Sequence, residues 1–202
     1  MTSKSFYWTL IEKKKEPATC ISKWHSILDI DADIFSKIFK LPFQCCMETK
    51  LQSFQFKVIH RIMAHKKLLY KMNISTSEMC NYCTNEIETI EHKLYSCNEA
   101  HIFWITFETW WNHIFGSQNN ISLSCQDIIF GIMETGMQTL NFCILVAKYF
   151  INHKKYNNQQ LFFPSFKIYL KSKLEIIKHI LFTKGNHAIF NKVWLPLLLH
   201  LQ

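Results

Sequence analysis

The chain has 202 residues, 49% hydrophobic and 19% charged, so it can bury a core and is not a disordered tail. Gly and Pro number four each, too few turn residues for a sandwich or barrel, and no apolar run reaches the ~18 residues of a membrane span. The net charge of +8 is unevenly placed: 13 basic and 7 acidic residues over 1–79 (net +6), 1 and 6 over 80–130 (net −5), 9 and 2 over 131–202 (net +7).

This basic–acidic–basic order fits a polyanionic partner contacted by the flanks, and equally an ordinary solvated basic surface. Arg61 is the only Arg among the 23 basic residues. Lysine is a compact point charge suited to phosphate, whereas the arginine fork reads guanine edges. Nucleic acid bound here is expected to be held by its backbone. The scarcity of Arg also follows from the composition of an AT-rich gene.

In chain order, the first 20 residues read as a connector: Phe6, Tyr7 and Trp8, then Lys13 to Lys15 and Pro17. They contain no apolar stretch of the kind a signal peptide needs, so the protein is expected to be intracellular, in the nucleus or cytoplasm. There its eight Cys serve as thiols or metal ligands. A helical turn is predicted over 22–28. Asp29, Asp31 and Asp33 alternate as in a calcium loop, but the sixth and twelfth places hold Ile34 and Lys40 instead of Gly and Glu. Asp31 or Asp33 is expected to cap a helix that runs to Lys40 and is ended by Pro42.

The strongest helix starts at Lys50 and runs to about Met63, with a longer reading that reaches Met72. Leu51, Phe54, Val58, Ile62 and Leu69 form its apolar stripe. Lys50, Lys57, Arg61 and Lys71 fall opposite it, and Lys66 and Lys67 complete a segment with no acid between 49 and 77. These six are the candidate phosphate contacts; a solvated helix face would look the same. A second helix, 101–115, carries Phe103, Trp104, Phe107, Trp110, Trp111 and Ile114, which read as core. Beyond a loop at 116–120, a buried helix is predicted over 140–151, an amphipathic one over 165–182, a turn at Gly185 and Asn186, and a last helix over 188–199 interrupted by Pro196.

Cys80, Cys83, His92 and Cys97 form C-x2-C-x8-H-x4-C. Thiolates and imidazole are the donors zinc prefers, and four protein ligands leave no open position, so one structural zinc is expected. His101 competes with His92, because Cys97-x3-His101 is also a workable pair. Asn85 with Glu88 reads as a capping box that opens a short helix over 86–95. Cys20, Cys45, Cys46, Cys125 and Cys143 show no ligand spacing and read as small buried hydrophobes.

Over residues 50–112 these features resemble the reverse-transcriptase zinc-binding domain, which follows the polymerase in polyproteins of non-LTR (LINE-type) retrotransposons. The resemblance rests on Phe54 and Phe56, His60-Arg61, Leu68-Leu69, Cys80 and Cys83, the run Glu88 to Leu94, Cys97, and Phe103-Trp104. It implies His92, not His101, as the third ligand, and contact with template RNA or target DNA. The chain is expected to divide into a connector with short helices (1–49), a basic helix with the zinc-binding domain (50–115), and a C-terminal helical region (116–202).

The fold class expected is mainly α, a helical domain stapled by a small zinc knuckle. No catalysis is expected. The four Asp include no adjacent pair for a polymerase metal site, and no nuclease carboxylate cluster, P-loop, Gly-rich dinucleotide turn or G-x-S-x-G is present. The partners expected are RNA or DNA backbone and a reverse-transcriptase core, with no small-molecule substrate and no membrane. The alternatives are a protein–protein scaffold docked on the polymerase, and an inactive retroelement remnant.

Overall fold

The structure is a computed structural model that describes residues 2, 5, 9, 16–116 and 120–201. The aromatic run at 6–8 and the lysines at 13–15 lie outside the described residues. The chain divides into two compact units, 1–35 and 36–202. Helices dominate, and the described residues form no strand beyond one isolated antiparallel bridge, Met79 to Ile87. None of the described helices is long and apolar enough to cross a membrane.

In the first unit, α1 (Thr19–Leu28) is longer than the predicted turn and buries Cys20 and Trp24. It ends where Asp29 turns left-handed at φ 50° and donates its N–H to the His25 carbonyl. A 3-10 turn (Ala32–Ile34) follows. Asp31 stands at its N-cap position, but its side chain makes no capping bond.

The next helix, α2 (Phe35–Cys45), lies in the second unit from Ser36 on and does not stop at Pro42, which lies inside it. The Pro42 ring removes one donor, yet its own carbonyl still accepts from the Cys46 N–H at 3.1 Å. Burial of Ile38, Cys45 and Cys46 holds the helix together across the interruption.

The long basic helix is split in two. α3 (Thr49–Ile59) closes at His60, and α4 (Lys66–Lys71) starts six residues later. Arg61 is left-handed at φ 59°. The Arg61 N–H bonds to the Val58 carbonyl at 3.0 Å, and the Ile62 N–H reaches back to the Lys57 carbonyl at 2.9 Å. This double closure is a Schellman motif with arginine at the place glycine usually fills. Leu51, Phe54 and Val58 are buried as the stripe requires, but Ile62 lies past the break and is exposed.

α5 (Asn98–Phe115), α6 (Cys125–Phe130), α7 (Gln138–Tyr156), α8 (Phe163–Thr183), α9 (His187–Val193) and α10 (Leu195–Leu199) complete the fold. Pro196 sits in the first turn of α10, so the predicted last helix becomes two. Phe103 and Phe107 of α5, Phe150 of α7 and Phe166 of α8 meet with ring centroids 5.2 to 6.1 Å apart, which is the aromatic core read from α5. Ser124 and Asp127 form a capping box that starts α6. Gly131 ends it at φ 91°, where a Cβ would collide with Leu41 and crowd Asn141.

Within α7 every residue from Leu140 to Lys148 is buried. Lys148 is charged in water and 2% exposed here. Its Nζ donates to Gln55 Oε1 of α3 at 2.6 Å and to the Ile129 carbonyl of α6 at 2.8 Å. Gln55 Nε2 donates to that same carbonyl at 2.8 Å. Burial pushes the Lys148 amine down to about 7.

Candidate metal centre and basic face

Chain between Lys71 and Asn98 has few apolar residues and no regular core of its own. It folds as a short hairpin. The Cys80 N–H donates to the Glu86 carbonyl at 2.9 Å, and the Glu88 N–H to the Glu78 carbonyl at 2.9 Å. Cys80 and Cys83 occupy the tight turn between these bonds. The predicted helix over 86–95 is therefore not formed at its start, and the Asn85–Glu88 capping box is absent. Glu88 is buried instead: its carboxylate accepts the Lys66 N–H at 3.0 Å and lies 3.8 Å from Lys93 Nζ. Helix begins only at Ile90 and widens into a π-helical turn (His92–Ser96). The hydroxyl of Thr89 accepts the His92 N–H at 3.1 Å and supplies the cap. The π-helical turn sets His92 inward and lets Cys97 follow at its C-cap.

The ligand atoms of Cys80, Cys83, His92 and Cys97 all lie within 4.8 Å of one another. Cys80 Sγ is 3.8 Å from Cys97 Sγ, and Cys83 Sγ is 3.4 Å from His92 Nε2. A zinc tetrahedron with Zn–S ≈ 2.3 Å and Zn–N ≈ 2.0 Å has edges of about 3.8 Å between sulfurs and about 3.5 Å from sulfur to nitrogen. Both observed edges match, and the cluster fits one structural zinc. His101, the competing histidine, is exposed and lies outside the cluster, with its ring against Tyr95.

Groups around the cluster fix its geometry. Glu86 Oε2 lies 3.0 Å from His92 Nδ1, which leaves Nε2 to face Cys83. A carboxylate on the far nitrogen is the usual way to orient a ligating histidine. The Tyr82 N–H points at Cys80 Sγ from 3.4 Å. The hydrogen bond from Cys80, and after it the Lys155 ammonium of α7, hold the Cys97 thiol well below the usual range; the same bond pushes Cys80 up. Lys155 Nζ is buried, has no hydrogen-bonding oxygen or nitrogen, and sits 5.1 Å above the Tyr82 ring. Three thiolates on a divalent ion leave one negative charge, and this ammonium offsets it. Sequence reasoning missed Lys155, because no spacing links residue 155 to a motif that ends at 97.

The six basic candidates separate. Lys57, Lys67 and Lys71 are exposed on α3 and α4. Lys50 is exposed, with its Nζ 5.5 Å from the Tyr149 ring centroid. Lys66 is half-buried. Arg61 turns inward and pairs with Glu91. Burial alone would raise the Glu91 carboxyl, but the Arg61 hydrogen bond and charge, together with the backbone and Thr89 hydrogen bonds, outweigh it and leave the group below its ordinary value. Lys93, the one basic residue of the acidic segment, is buried and donates to the Ala64 carbonyl at 3.1 Å, which ties the hairpin to the chain before α4.

None of the eight cysteines forms a disulfide. Cys20, Cys45, Cys46 and Cys143 are buried as expected, whereas Cys125 is only half-buried in the first turn of α6.

A family model described as zinc-binding in reverse transcriptase matches residues 2–104, just over half of the chain. No curated protein and no solved structure matches it.

Proposed function

The chain belongs to the family of zinc-binding domains of reverse transcriptases, and on that premise we propose that it is a non-catalytic accessory module that holds nucleic-acid backbone beside a polymerase. Cys80, Cys83, His92 and Cys97 are its zinc ligands. Zinc held there supplies cross-linking energy to a hairpin that has little core of its own. Lys57, Lys67 and Lys71, with Lys50 behind them, form the phosphate-facing surface. Arg61 and Lys66 join α3 and α4 to the finger and brace that surface from within.

The observation that carries this reading is the pattern of charge and exposure. Lys50, Lys57, Lys67 and Lys71 are exposed on a stretch with no acidic residue between 49 and 77. The finger beside it is acidic, which makes the flank the phosphate contact. The natural context of such a module is the region after the polymerase in a non-LTR retrotransposon polyprotein.

Changing Lys57, Lys67 and Lys71 together to Glu tests this. Each phosphate contact contributes about 0.9 to the slope of log affinity against log salt on duplex DNA. The triple variant is expected to lower that slope by about three, read by fluorescence anisotropy between ~50 and ~200 mM salt. An unchanged slope would assign those lysines to solvent.

A second reading, a scaffold docked on the polymerase, is favoured by Ile102 and Ile105 of α5. Both are about half exposed, and Ile105 lines a surface hollow with Trp110 and Phe163. It predicts salt-tolerant binding to a protein partner that an Ile105→Asp change abolishes.

A further inference from the structure

A cleft of about 510 Å³ opens between α7 and α8, on the side where α3 begins. Its walls are Tyr149 and His153 of α7, Tyr169 and Lys173 of α8, and Lys50 of α3, with Lys154 at one end. This lies outside the residues the family model matches, except for Lys50. None of the residues lining it is acidic.

The aromatic faces are arranged. Tyr149 and His153 are stacked, with centroids 6.4 Å apart and planes at 22°. Phe54 meets Tyr149 edge-on at 5.3 Å, and Phe150 lies 5.8 Å from Tyr169, so both tyrosines are buttressed from behind. The cations sit around these rings. Lys50 Nζ is 5.5 Å from the Tyr149 centroid and Lys173 Nζ is 5.2 Å from that of Tyr169. Lys173 is held by both oxygens of Glu48 at 2.8 Å, so its charge is met and it acts as a wall. Lys50 and Lys154 supply the unmet charge; among the described residues the Lys154 ammonium meets the neutral Gln159 side chain and the Phe150 ring.

We propose that this cleft binds single-stranded nucleic acid, with an unpaired base on the Tyr149–Tyr169 aromatic walls and its flanking phosphates on Lys50 and Lys154. The inference rests on the nucleic-acid reading above and deepens it. Rings with lysines at their rim are the combination that holds unpaired strands, because every base has a face to stack and every nucleotide a phosphate. A duplex cannot use the rings, since its bases are already stacked on one another. The cleft adjoins the basic stretch that begins at Lys50, so one strand reaches both.

The test uses the full zinc-loaded chain. A single strand carrying 5-iodouracil, made as RNA and as DNA, is irradiated with the protein and the cross-linked peptides are mapped. Cross-links at Tyr149, His153 or Tyr169 are expected, and the strand that gives more of them identifies which polymer fills the cleft. Cross-links confined to 57–71 would overturn the cleft and leave the backbone-contact function standing. No binding of either strand at low salt would overturn both.

Tyr149→Ala is expected to weaken single-strand binding about five- to a hundredfold and to leave duplex affinity unchanged, with Tyr149→Phe restoring it. Equal single-strand affinity in a folded Tyr149→Ala chain would overturn the proposal. So would displacement of the strand by polyglutamate as effective as displacement by unlabelled strand, since that shows charge without stacking.

Discussion

Cys83→Ser is expected to abolish stoichiometric zinc binding and unfold the finger. Cys83 is the least buried of the four cluster residues, so the change removes little packing and isolates the loss of the metal donor. A structural zinc contributes on the order of 10–16 kcal/mol of apparent binding energy at neutral pH. A whole domain is stable by only about 5–15 kcal/mol. Within itself the hairpin from Met79 to Cys97 has one β-bridge, a few backbone bonds and a single π-helical turn, and without the metal it depends on its ties outward, Arg61–Glu91, Lys93 to the Ala64 carbonyl and Tyr82 to α7. Its loss also removes the Leu94 carbonyl that accepts the Trp104 Nε1–H at 2.7 Å, so the damage is visible in the aromatic circular dichroism. The measurement is zinc content per chain together with that spectrum. A Cys83→Ser chain that retains one zinc and a native spectrum would remove Cys83 from the ligand set.

The second large effect concerns Lys148. Unfolded, its amine has the ordinary value of 10.5; folded, burial lowers it to about 7. Between those two values the unfolded chain binds the extra proton, so stability rises with pH and falls as pH drops toward 7. The groups that act on it are few. Cys45, pushed up to about 12 chiefly by burial, stays neutral across this range. Gln55 and the Ile129 carbonyl are neutral acceptors. From pH 7 to 8.5 Lys148 by itself adds roughly 1.5 kcal/mol of stability, while the buried thiols, which ionise in the unfolded chain toward the top of this range, act in the opposite direction. For a chain this size the Lys148 contribution corresponds to a shift in Tm of about 3–6 °C. Lys148→Met is expected to remove this contribution, measured as the difference between two zinc-saturated melting profiles over that window. Parallel profiles for native and variant would place the amine in a charged state inside the fold.

Those two sites differ in how legible they were. The zinc cluster was written in spacing, because a tetrahedral site needs four donors brought together by short local turns. In the sequence Lys148 shows only as a charge inside the apolar stretch 140–151. Its burial depends on Gln55 and Ile129, 93 and 19 residues away, and no periodicity reports them. The same division runs through the helices. α5, α7 and α8 were readable because their apolar faces repeat at helical spacing. The break at Arg61 was not, since arginine gives no local signal for a left-handed turn, and its partner Glu91 is thirty residues on. Pro42 and the Asn85–Glu88 pair failed for a related reason. Both are local rules, and burial of the surrounding residues or the hairpin's own backbone bonds overrode them. In the basic face, composition gave the charge but not which cations point outward, because exposure is a tertiary property.

The ring of Tyr82 has a further consequence. Its hydroxyl lies 3.1 Å from the carbonyls of both Lys154 and Gln159, and Lys155 sits over its face, so the metal knuckle rests on the far end of α7. The matched signature stops at Trp104, in the middle of α5, fifty residues before that support arrives. A piece that carried only the signature would leave Phe107 and Trp111 behind, cut their helix short and leave the knuckle without its floor. The piece that folds around the knuckle is therefore longer than the piece that carries its signature.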